Sequence, residues 1–277
     1  MNEPVYLAIP NYNMGKELAV LLPRVLKEDF AFIYVLDDAS TDDSVRVVQK
    51  YAKTNRVTLI SGLHNKGAGS NRNRIIGNIK QGIVVFLDAD MELLSSGVVP
   101  KIRHAFRDKN TGIVGFEIIE NNKPMSWNFG VKKTPKSDIQ QLRKILKENN
   151  KTFIAKSYAN HDPQILSANP SGLHMDRQEV FWVAEGFFAV RAPLFDAIGG
   201  FDKAVRYHEA QTLTHRIRAT GSHVVFDPCI TARHLKVEVR GKAHRRLQKL
   251  HADIYVYLKY SHRKYKPVKR TPKPHTP

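Results

Sequence analysis

The sequence predicts an α/β fold in which helices flank a mostly parallel β-sheet. From the N-terminus to Asp90, short apolar runs of strand length alternate with segments of helix length, an order typical of parallel sheets. These runs lack the alternation of polar and apolar residues that a half-exposed strand shows, which favours strands buried on both faces. Polar clusters follow the runs. Because parallel strands end at the same edge of a sheet, we expect the clusters to form one ligand site there.

Four strands and three helices are predicted in this N-terminal part. The predicted strands are residues 5–9, 32–36, 57–60 and 83–87. The first helix is predicted from apolar residues that recur at helical spacing, namely Leu18, Leu21, Leu22, Val25 and Leu26. The second helix is predicted over residues 44–51. The third is predicted over residues 71–80, after a polar loop that contains glycine, and Gly82 separates it from the fourth strand.

The pattern becomes irregular after Gly115 and regular again near Phe181. Residues 120–180 contain one predicted helix, over residues 139–148, and we interpret them as an irregular or inserted region. The regular segments that follow are residues 181–191 and 195–201, a helix over 209–219 that Gly221 ends, and a strand over 224–226. We therefore predict one domain over residues 1–235, with halves 1–115 and 116–235, and a basic helix and tail over 236–277.

The charge of the chain is concentrated at its C-terminus. The chain has 277 residues and a net charge of +18, and the segment from Lys236 onward carries 13 Lys and Arg against two acids, a net +11. Such a tail favours phosphate-rich partners, among them an anionic membrane surface. A recognition helix and a basic strand with interleaved aromatic residues are both missing, so we do not expect nucleic acid as a partner.

Three other features of the sequence indicate where in the cell the protein is located. No apolar run approaches the ~20 residues that span a bilayer, and the N-terminus has no pattern of a secretory signal. The single cysteine, Cys229, excludes an internal disulfide. We expect a cytoplasmic protein. Leu247, Leu250, Ile254 and Leu258 recur at helical spacing among basic residues, which predicts a helix that packs on the domain or lies peripherally at the inner face of the membrane.

Two acidic residues, Asp88 and Asp90, directly follow the fourth predicted strand. Their mutual repulsion is tolerable when a cation lies between them, and aspartate oxygens suit Mg²⁺ or Mn²⁺. An isolated Asp-x-Asp is more often part of a solvated loop, so this interpretation depends on the other clusters.

A second acidic cluster, Asp37 to Asp43, follows the second predicted strand. Ser40 or Thr41 is predicted to cap the next helix, whose positive end favours the acids that follow. Asp37 and Asp38 lie before the cap, which leaves one of these carboxylates to accept hydrogen bonds from a nucleobase or a ribose.

Together with Pro10-x-Tyr12-Asn13, these clusters resemble glycosyltransferase family 2. Asn65-x-Gly67 followed by Arg72-Asn73 matches the family pattern ahead of the strand that carries Asp-x-Asp. The resemblance covers residues 4–95 and returns over 181–234, where the matching residues are Gly186-Phe187-Phe188, Arg191 and Gly199-Gly200-Phe201-Asp202. It implies a Rossmann-like GT-A fold, with residues 1–115 as the nucleotide-sugar-binding half and 116–235 as the acceptor-side half.

The resemblance also implies roles for residues of the first half. Pro10, Tyr12 and Asp38 would hold the nucleoside, with Tyr12 near the base. Arg72 would approach the diphosphate, where a guanidinium makes charge-assisted contacts.

For the metal, the resemblance implies that Asp88 lies near the ribose and the cation and that Asp90 ligates the cation directly. His234 matches a histidine that often closes the metal site in this fold. The alternative interpretation is that His234 is a surface histidine beside Arg233 and Lys236.

The chain departs from the family pattern where the catalytic base is expected. Glu209, Leu213 and Arg216 match, but Ala210 stands at the position of the usual catalytic aspartate, and alanine cannot accept a proton. Glu209 is our preferred base, His208 is the second candidate, and a degenerate protein with weak activity is the third possibility.

The resemblance therefore implies a metal-dependent, inverting transfer of a sugar from a nucleotide-diphosphate sugar, with UDP favoured, to a hydroxyl of a glycan or lipid-linked acceptor. The alternative is a pseudoenzyme that binds a sugar nucleotide or a carbohydrate without turnover.

Overall fold

The computed structural model describes residues 3–125, 128–130, 176–235, 251, 252, 254–256 and 258–260. The helix predicted over residues 139–148 and most of the basic tail lie outside the described residues. Among the residues described, no helix is long and apolar enough to cross a membrane.

The N-terminal half is a four-stranded parallel sheet with helical connections. Its strands are β1 (Val5–Asn11), β2 (Phe32–Asp37), β3 (Val57–Ser61) and β4 (Ile83–Leu87), arranged in the order β3-β2-β1-β4. The connections are α1 (Gly15–Val25), α2 (Ser44–Ala52), and α3 (Ala68–Arg72) with a 3₁₀ turn (Asn73–Ile75). The predicted strands and the parallel α/β class are confirmed.

The second half extends the same sheet with strands of both directions. It comprises β5 (Met91–Leu93), α4 (Val98–Ala105), β6 (Thr111–Glu120), β7 (Lys123–Pro124), β8 (Phe129–Gly130), β9 (Gln178–Glu179), β10 (Trp182–Val183), β11 (Phe187–Arg191), α5 (Ala192–Ala197), α6 (Glu209–Ala219) and β12 (His223–His234). The sheet continues from β4 in the order β11-β6-β12-β5. Strand β11 runs antiparallel to both neighbours, and β12 is parallel to β6.

Hydrophobic cores cover both faces of the sheet. Along β1, Leu7 and Ile9 pack in the core that contains α1, α2 and α4, whereas Ala8 packs in the core on the opposite face, with α5 and α6. Both faces of the strand are therefore apolar, which explains why the sequence of the strand does not alternate.

The predicted helix over residues 71–80 is wrong in position and length. The helix is α3, which ends at Arg72, and it is followed by the 3₁₀ turn rather than by further α-helix. Two features explain why α3 ends at Arg72. The side chain of Asn73 bonds the backbone N–H and carbonyl of Phe201, and Gly77 adopts a positive φ of 82°.

The last strand is longer than the predicted residues 224–226. Strand β12 continues through Pro228 because its pairing with β6 is interrupted between Phe226 and Thr231, so proline falls where the ladder needs no donor. The extension brings His234 opposite Met91 of β5. A residue that the sequence places far from the Asp-x-Asp segment thus reaches it.

Gly200 and Gly221 both lie in turns, but they differ in how much space an added Cβ atom would have. Both have positive φ, 63° and 84°, but a Cβ on Gly200 would meet the Asn73 Oδ1 atom at 2.2 Å, whereas nothing lies within 4 Å at Gly221. We expect Gly221→Ala to cost about 1 kcal/mol of unfolding free energy through strain alone, and Gly200→Ala to cost about 1 to 3 kcal/mol more through overpacking. Urea denaturation would measure both, and equal losses would contradict the close contact.

Candidate functional site

The carboxyl ends of β1 and β2 are locked together by Asp37. Its carboxylate accepts hydrogen bonds from the Asn11 amide at 2.8 Å and from the backbone N–H and hydroxyl of Ser40. Asn11 and Asp37 are each only 2% exposed. These internal bonds show that Asp37 holds the loop that begins at β2.

The predicted capping of α2 by Ser40 or Thr41 is wrong. Ser40 bonds Asp37, and Asp42 instead accepts hydrogen bonds from the Ser44 N–H at 3.0 Å and the Gly15 N–H at 2.9 Å. Burial opposes ionisation of Asp42, but these hydrogen bonds outweigh it and lower its pKa. Asp42 therefore ties the start of α2 to the start of α1.

Asp38 connects β2 to the loop before α3. Its carboxylate accepts hydrogen bonds from the N–H groups of Lys66 and Gly67, at 2.9 and 2.8 Å, and from the Arg74 guanidinium at 3.0 Å. The side chain is 3% exposed. Asp38 thus shapes the loop at the sheet edge, and its contact with a nucleoside stays a prediction.

A buried arginine, Arg72, lies among three acidic residues. Its Nη2 atom donates to Asp88 Oδ1 at 2.6 Å and to the Glu185 carbonyl at 3.0 Å, and its Nη1 atom lies 3.9 Å from Glu209 Oε2. The Arg72 side chain is 1% exposed. Its direct contact with a diphosphate stays a prediction. What the structure shows is that it orients Asp88, whose side chain is 28% exposed.

Glu185 and Glu209 form a pair of carboxyl groups beside this arginine. Glu209 accepts a hydrogen bond from the Gly69 N–H at 2.9 Å and is 5% exposed. Burial, followed by the neighbouring Glu209 carboxylate, raises the pKa of Glu185 to about 8. Both effects favour the protonated form of Glu185.

Glu185 is not among the residues that the sequence patterns predicted for the site. The available signal was an acid directly before Gly186 of the second matched block, but nothing in the sequence placed it beside Glu209, which lies on a different element.

Asp90 and His234 contact each other near Asp88. The His234 Nε2 atom lies 3.3 Å from Asp90 Oδ2, and its Nδ1 atom lies 2.7 Å from Glu120 Oε1. The hydrogen bond to Asp90 has the largest effect on the pKa of His234. With Glu120 it outweighs burial and raises the pKa of His234 to about 9. Burial raises the pKa of Asp88 to about 6, although Arg72 opposes this effect.

The spacing of Asp90 and His234 would suit two ligands of one divalent cation, which would replace the proton on His234, because a ligating imidazole is neutral. Two ligands at right angles, each about 2.1 Å from Mg²⁺, are about 3 Å apart, close to the 3.3 Å observed. A carboxylate behind a metal-ligating histidine is a frequent arrangement, and Glu120 supplies it. Within the described part of the chain no three such side chains converge as a ready-made metal site, so substrate phosphates and water would complete the coordination.

The predicted site residues gather at one edge of the sheet. Parallel strands β1, β2 and β4 all end there. The loop and helix from Gly67 to Arg72 link the Asp38 contacts to those of Glu209 and Asp88. The residues at this edge are Pro10, Tyr12, Asp38, Arg72, Asp88, Asp90, Glu209 and His234.

The remaining predicted residue, His208, lies directly before α6. It is 5% exposed and has a left-handed backbone with φ of 56°. Its ring centroid lies 5.2 Å from that of Tyr207. Its role as a base stays a prediction.

The chain is similar to one described protein family and to several curated glycosyltransferases. The family described as Glycosyl transferase family 2 matches residues 6–167. Glycosyltransferase GlyG of Streptococcus pneumoniae is 25% identical over 117 residues, which are 41% of this chain and 38% of that protein. The Escherichia coli protein named UDP-Glc:alpha-D-GlcNAc-diphosphoundecaprenol beta-1,3-glucosyltransferase WfgD is 26% identical over 121 residues, 43% of this chain and 47% of that protein.

A solved structure shows the same fold. Mannosyltransferase PcManGT of Pyrobaculum calidifontis, in complex with GDP-Man and Mn²⁺, has a TM-score of 0.60 at 17% identity, covering 96% of this chain and 66% of that one. The matched stretches span less than half the length of both curated relatives.

Removal of Arg72 should have a pH-dependent cost. Arg72→Met leaves Asp88, Glu185 and Glu209 without a cation, and we expect a loss of about 3 to 5 kcal/mol in unfolding free energy at pH 8. The folded variant relieves the repulsion by binding protons, so the loss should shrink as the pH falls toward 5. Denaturant titrations from pH 5 to 8 would measure it.

Arg56→Met is the matched control for this experiment. The guanidinium of Arg56 donates to the backbone carbonyls of Leu26, Glu28 and Phe30, which do not titrate, so its loss should be similar at each pH. The same flat dependence for Arg72→Met would contradict an electrostatic role.

Proposed function

This chain belongs to glycosyltransferase family 2, and on that premise we propose that it transfers a sugar from a nucleotide-diphosphate sugar to a hydroxyl of a glycan or lipid-linked acceptor. The observation that carries the proposal is that the contacts of Arg72 with Asp88 and Glu209 and the contact of His234 with Asp90 all lie at the carboxyl edge of the sheet. UDP is the favoured nucleotide, because the name of WfgD specifies UDP-Glc.

The two halves of the domain would divide the substrates between them. Residues 1–115 would bind the nucleotide sugar, with Pro10, Tyr12 and Asp38 around the nucleoside, and residues 116–235 would form the acceptor side. The loops after β1 and β2 support this assignment, because internal hydrogen bonds of Asp37 and Asp38 hold them in place. A preorganised loop loses little conformational entropy when a ligand binds.

Asp90 and His234 would hold a divalent cation, Mn²⁺ or Mg²⁺. When bound, the cation would neutralise charge that develops on the departing diphosphate. Asp88, oriented by Arg72 at 2.6 Å, would face the same part of the donor. The PcManGT structure, which is in complex with GDP-Man and Mn²⁺, supports the cation assignment.

Glu209 would act as the base, with Glu185 as its neighbour in the carboxyl pair. The base removes the proton from the acceptor hydroxyl, and the acceptor oxygen attacks the anomeric carbon opposite the nucleotide. The bond between that carbon and the diphosphate oxygen breaks as the new bond forms, which inverts the configuration, and the nucleoside diphosphate leaves with the bonding electrons. The Gly69 N–H and the Arg72 guanidinium both contact the Glu209 carboxylate, and burial together with Glu209 raises the pKa of Glu185.

A pseudoenzyme is the second candidate function, and Ala210 is the observation that favours it. Alanine there removes the usual acid of the family pattern, and the residue is 6% exposed. Nucleotide-sugar binding with no hydrolysis or transfer would identify this alternative.

The C-terminal segment supports a peripheral location at the cytoplasmic face of a membrane. Ile254 and Leu258, which lie one turn apart, are 53% and 66% exposed. The surrounding sequence from Lys236 onward has a net charge of +11. Apolar side chains among basic residues suit a surface of anionic lipids.

Ligand-induced stabilisation would test the cation site. With Mn²⁺ and UDP-glucose or GDP-mannose at about 100 times Kd, we expect wild-type protein to gain about 2.7 kcal/mol of unfolding free energy, and Asp90→Asn to lose most of this gain. Glu92→Gln is the matched control, since Glu92 pairs with Arg233 at 2.9 Å. Equal stabilisation of Asp90→Asn and wild type would refute the assignment of Asp90.

Single-residue variants would identify the base. Glu209→Gln should lower kcat by about 10² to 10⁴-fold, because it removes the proton acceptor, while UDP binding measured by calorimetry is retained. His208→Asn should keep kcat within a few-fold of wild type. The reverse pattern, with activity lost in the His208 variant and kept in the Glu209 variant, would assign the base to His208.

A further inference from the structure

Three side chains from the C-terminal helical residues converge on one oxygen of the catalytic domain. The hydroxyls of Tyr255 and Tyr260 and the ammonium of Lys259 all donate to Asp202 Oδ2, at 2.8, 3.0 and 2.8 Å respectively. Asp202 is the last residue of the Gly199–Asp202 turn between α5 and α6. One carboxylate oxygen thus joins the turn to a segment of chain some fifty residues further on.

The surroundings of Asp202 strengthen this contact. Its side chain is 11% exposed. Burial raises the pKa of Asp202, but hydrogen bonds from Lys259, the Ala204 N–H and the two tyrosines outweigh it and lower the pKa to about 2. Tyr260 is 2% exposed and stacks on His215 of α6 at 4.8 Å between ring centroids.

The other end of the turn contacts the candidate site. The Phe201 N–H donates to Asn73 Oδ1 at 2.7 Å, and its carbonyl accepts from Asn73 Nδ2 at 2.9 Å. The Phe201 ring centroid lies 5.5 Å from the Arg72 guanidinium carbon. Asp202 is the next residue along the chain, so a shift of its carboxylate moves the peptide that Asn73 holds.

We propose that Asp202 is a positioning residue, through which the C-terminal helical residues hold Phe201 and Asn73 and thereby keep Arg72 on Asp88 and Glu209. The network is continuous from Lys259 to Asp88 and consists of the contacts given above. The helical residues from 251 onward lie outside the residues 6–167 that match the family, so the network joins them to its Asp-x-Asp segment.

The donors are arranged so that the network can be weakened in steps. Lys259→Met removes the charged donor and leaves both tyrosines, whereas Asp202→Asn removes the charge on which all three donors converge while keeping the side-chain shape. Asp29→Asn and Lys53→Met are matched controls, since both residues are exposed and remote from the Gly199–Asp202 turn in the sequence.

Amide hydrogen exchange tests the positioning role without any substrate. The Asn71 N–H bonds the Gly67 carbonyl at 2.9 Å and the Ile76 N–H bonds the Asn73 carbonyl at 3.1 Å. We expect Asp202→Asn to speed exchange across residues 69–76 by about 10-fold, and Lys259→Met by less, because coupling along such networks is modest and Lys259→Met leaves two donors in place. Exchange in β1, β2 and β3 should stay unchanged, as it should everywhere in the controls.

Faster exchange confined to residues 199–204 and 251–260, with residues 69–76 unchanged, would overturn the proposal, since Asp202 would then act as a local staple. Uniformly faster exchange in all strands would also overturn it, because that outcome indicates global destabilisation.

The consequence for donor binding rests on the proposed function and has a separate readout. Calorimetry with UDP and Mn²⁺ should give a Kd about 3- to 10-fold weaker for Asp202→Asn than for wild type. Wild-type protein that binds neither UDP nor GDP would count against the proposed function, while the exchange result would still decide the positioning role. Unchanged Kd together with faster exchange at residues 69–76 would remove the link to the donor.

Discussion

The burial of Arg72 among acidic residues is the constraint on which the candidate site depends. A guanidinium that is 1% exposed requires compensating charge, and Asp88 and Glu209 supply it from two different elements, with Glu185 beside them. The acids need the arginine equally, because their own repulsion would otherwise separate the end of β4 from the start of α6. The Arg72 guanidinium thus sets the position of the start of α6 relative to the end of β4.

Side chains that bond backbone groups hold the rest of this edge. Asp37 bonds the Ser40 N–H of its own loop, whereas Asp38 and Asn73 bond backbone N–H groups of another loop or turn. Loops cannot satisfy their own backbone donors as helices and strands do, so buried carboxylates and amides take over this task. The acids at the carboxyl edge of the sheet therefore have a structural role whether or not they also contact a ligand.

Glu185 gives a structural context for the alanine at position 210, where the family pattern has an acid. The family pattern places an acid on α6 next to Glu209, and this chain instead has a second carboxyl group on the segment before β11, close to Glu209. The two carboxyl groups thus come from two elements instead of neighbouring positions of one helix. The C-terminal helical residues are also tied to the domain, since Tyr255, Lys259 and Tyr260 meet at Asp202.

The sequence by itself determined the strands of the parallel half, the family and the acids at the strand ends, because burial on both faces and the polar residues after each strand are local patterns. Tertiary structure alone decided where α3 ends, how far β12 extends and that Glu185 faces Glu209. In each case the deciding contact joins residues distant along the chain: Asn73 with Phe201, His234 with Asp90, and Glu185 with Glu209. Periodicity reports which face of an element is buried, but only the packed chain brings such partners within hydrogen-bonding distance.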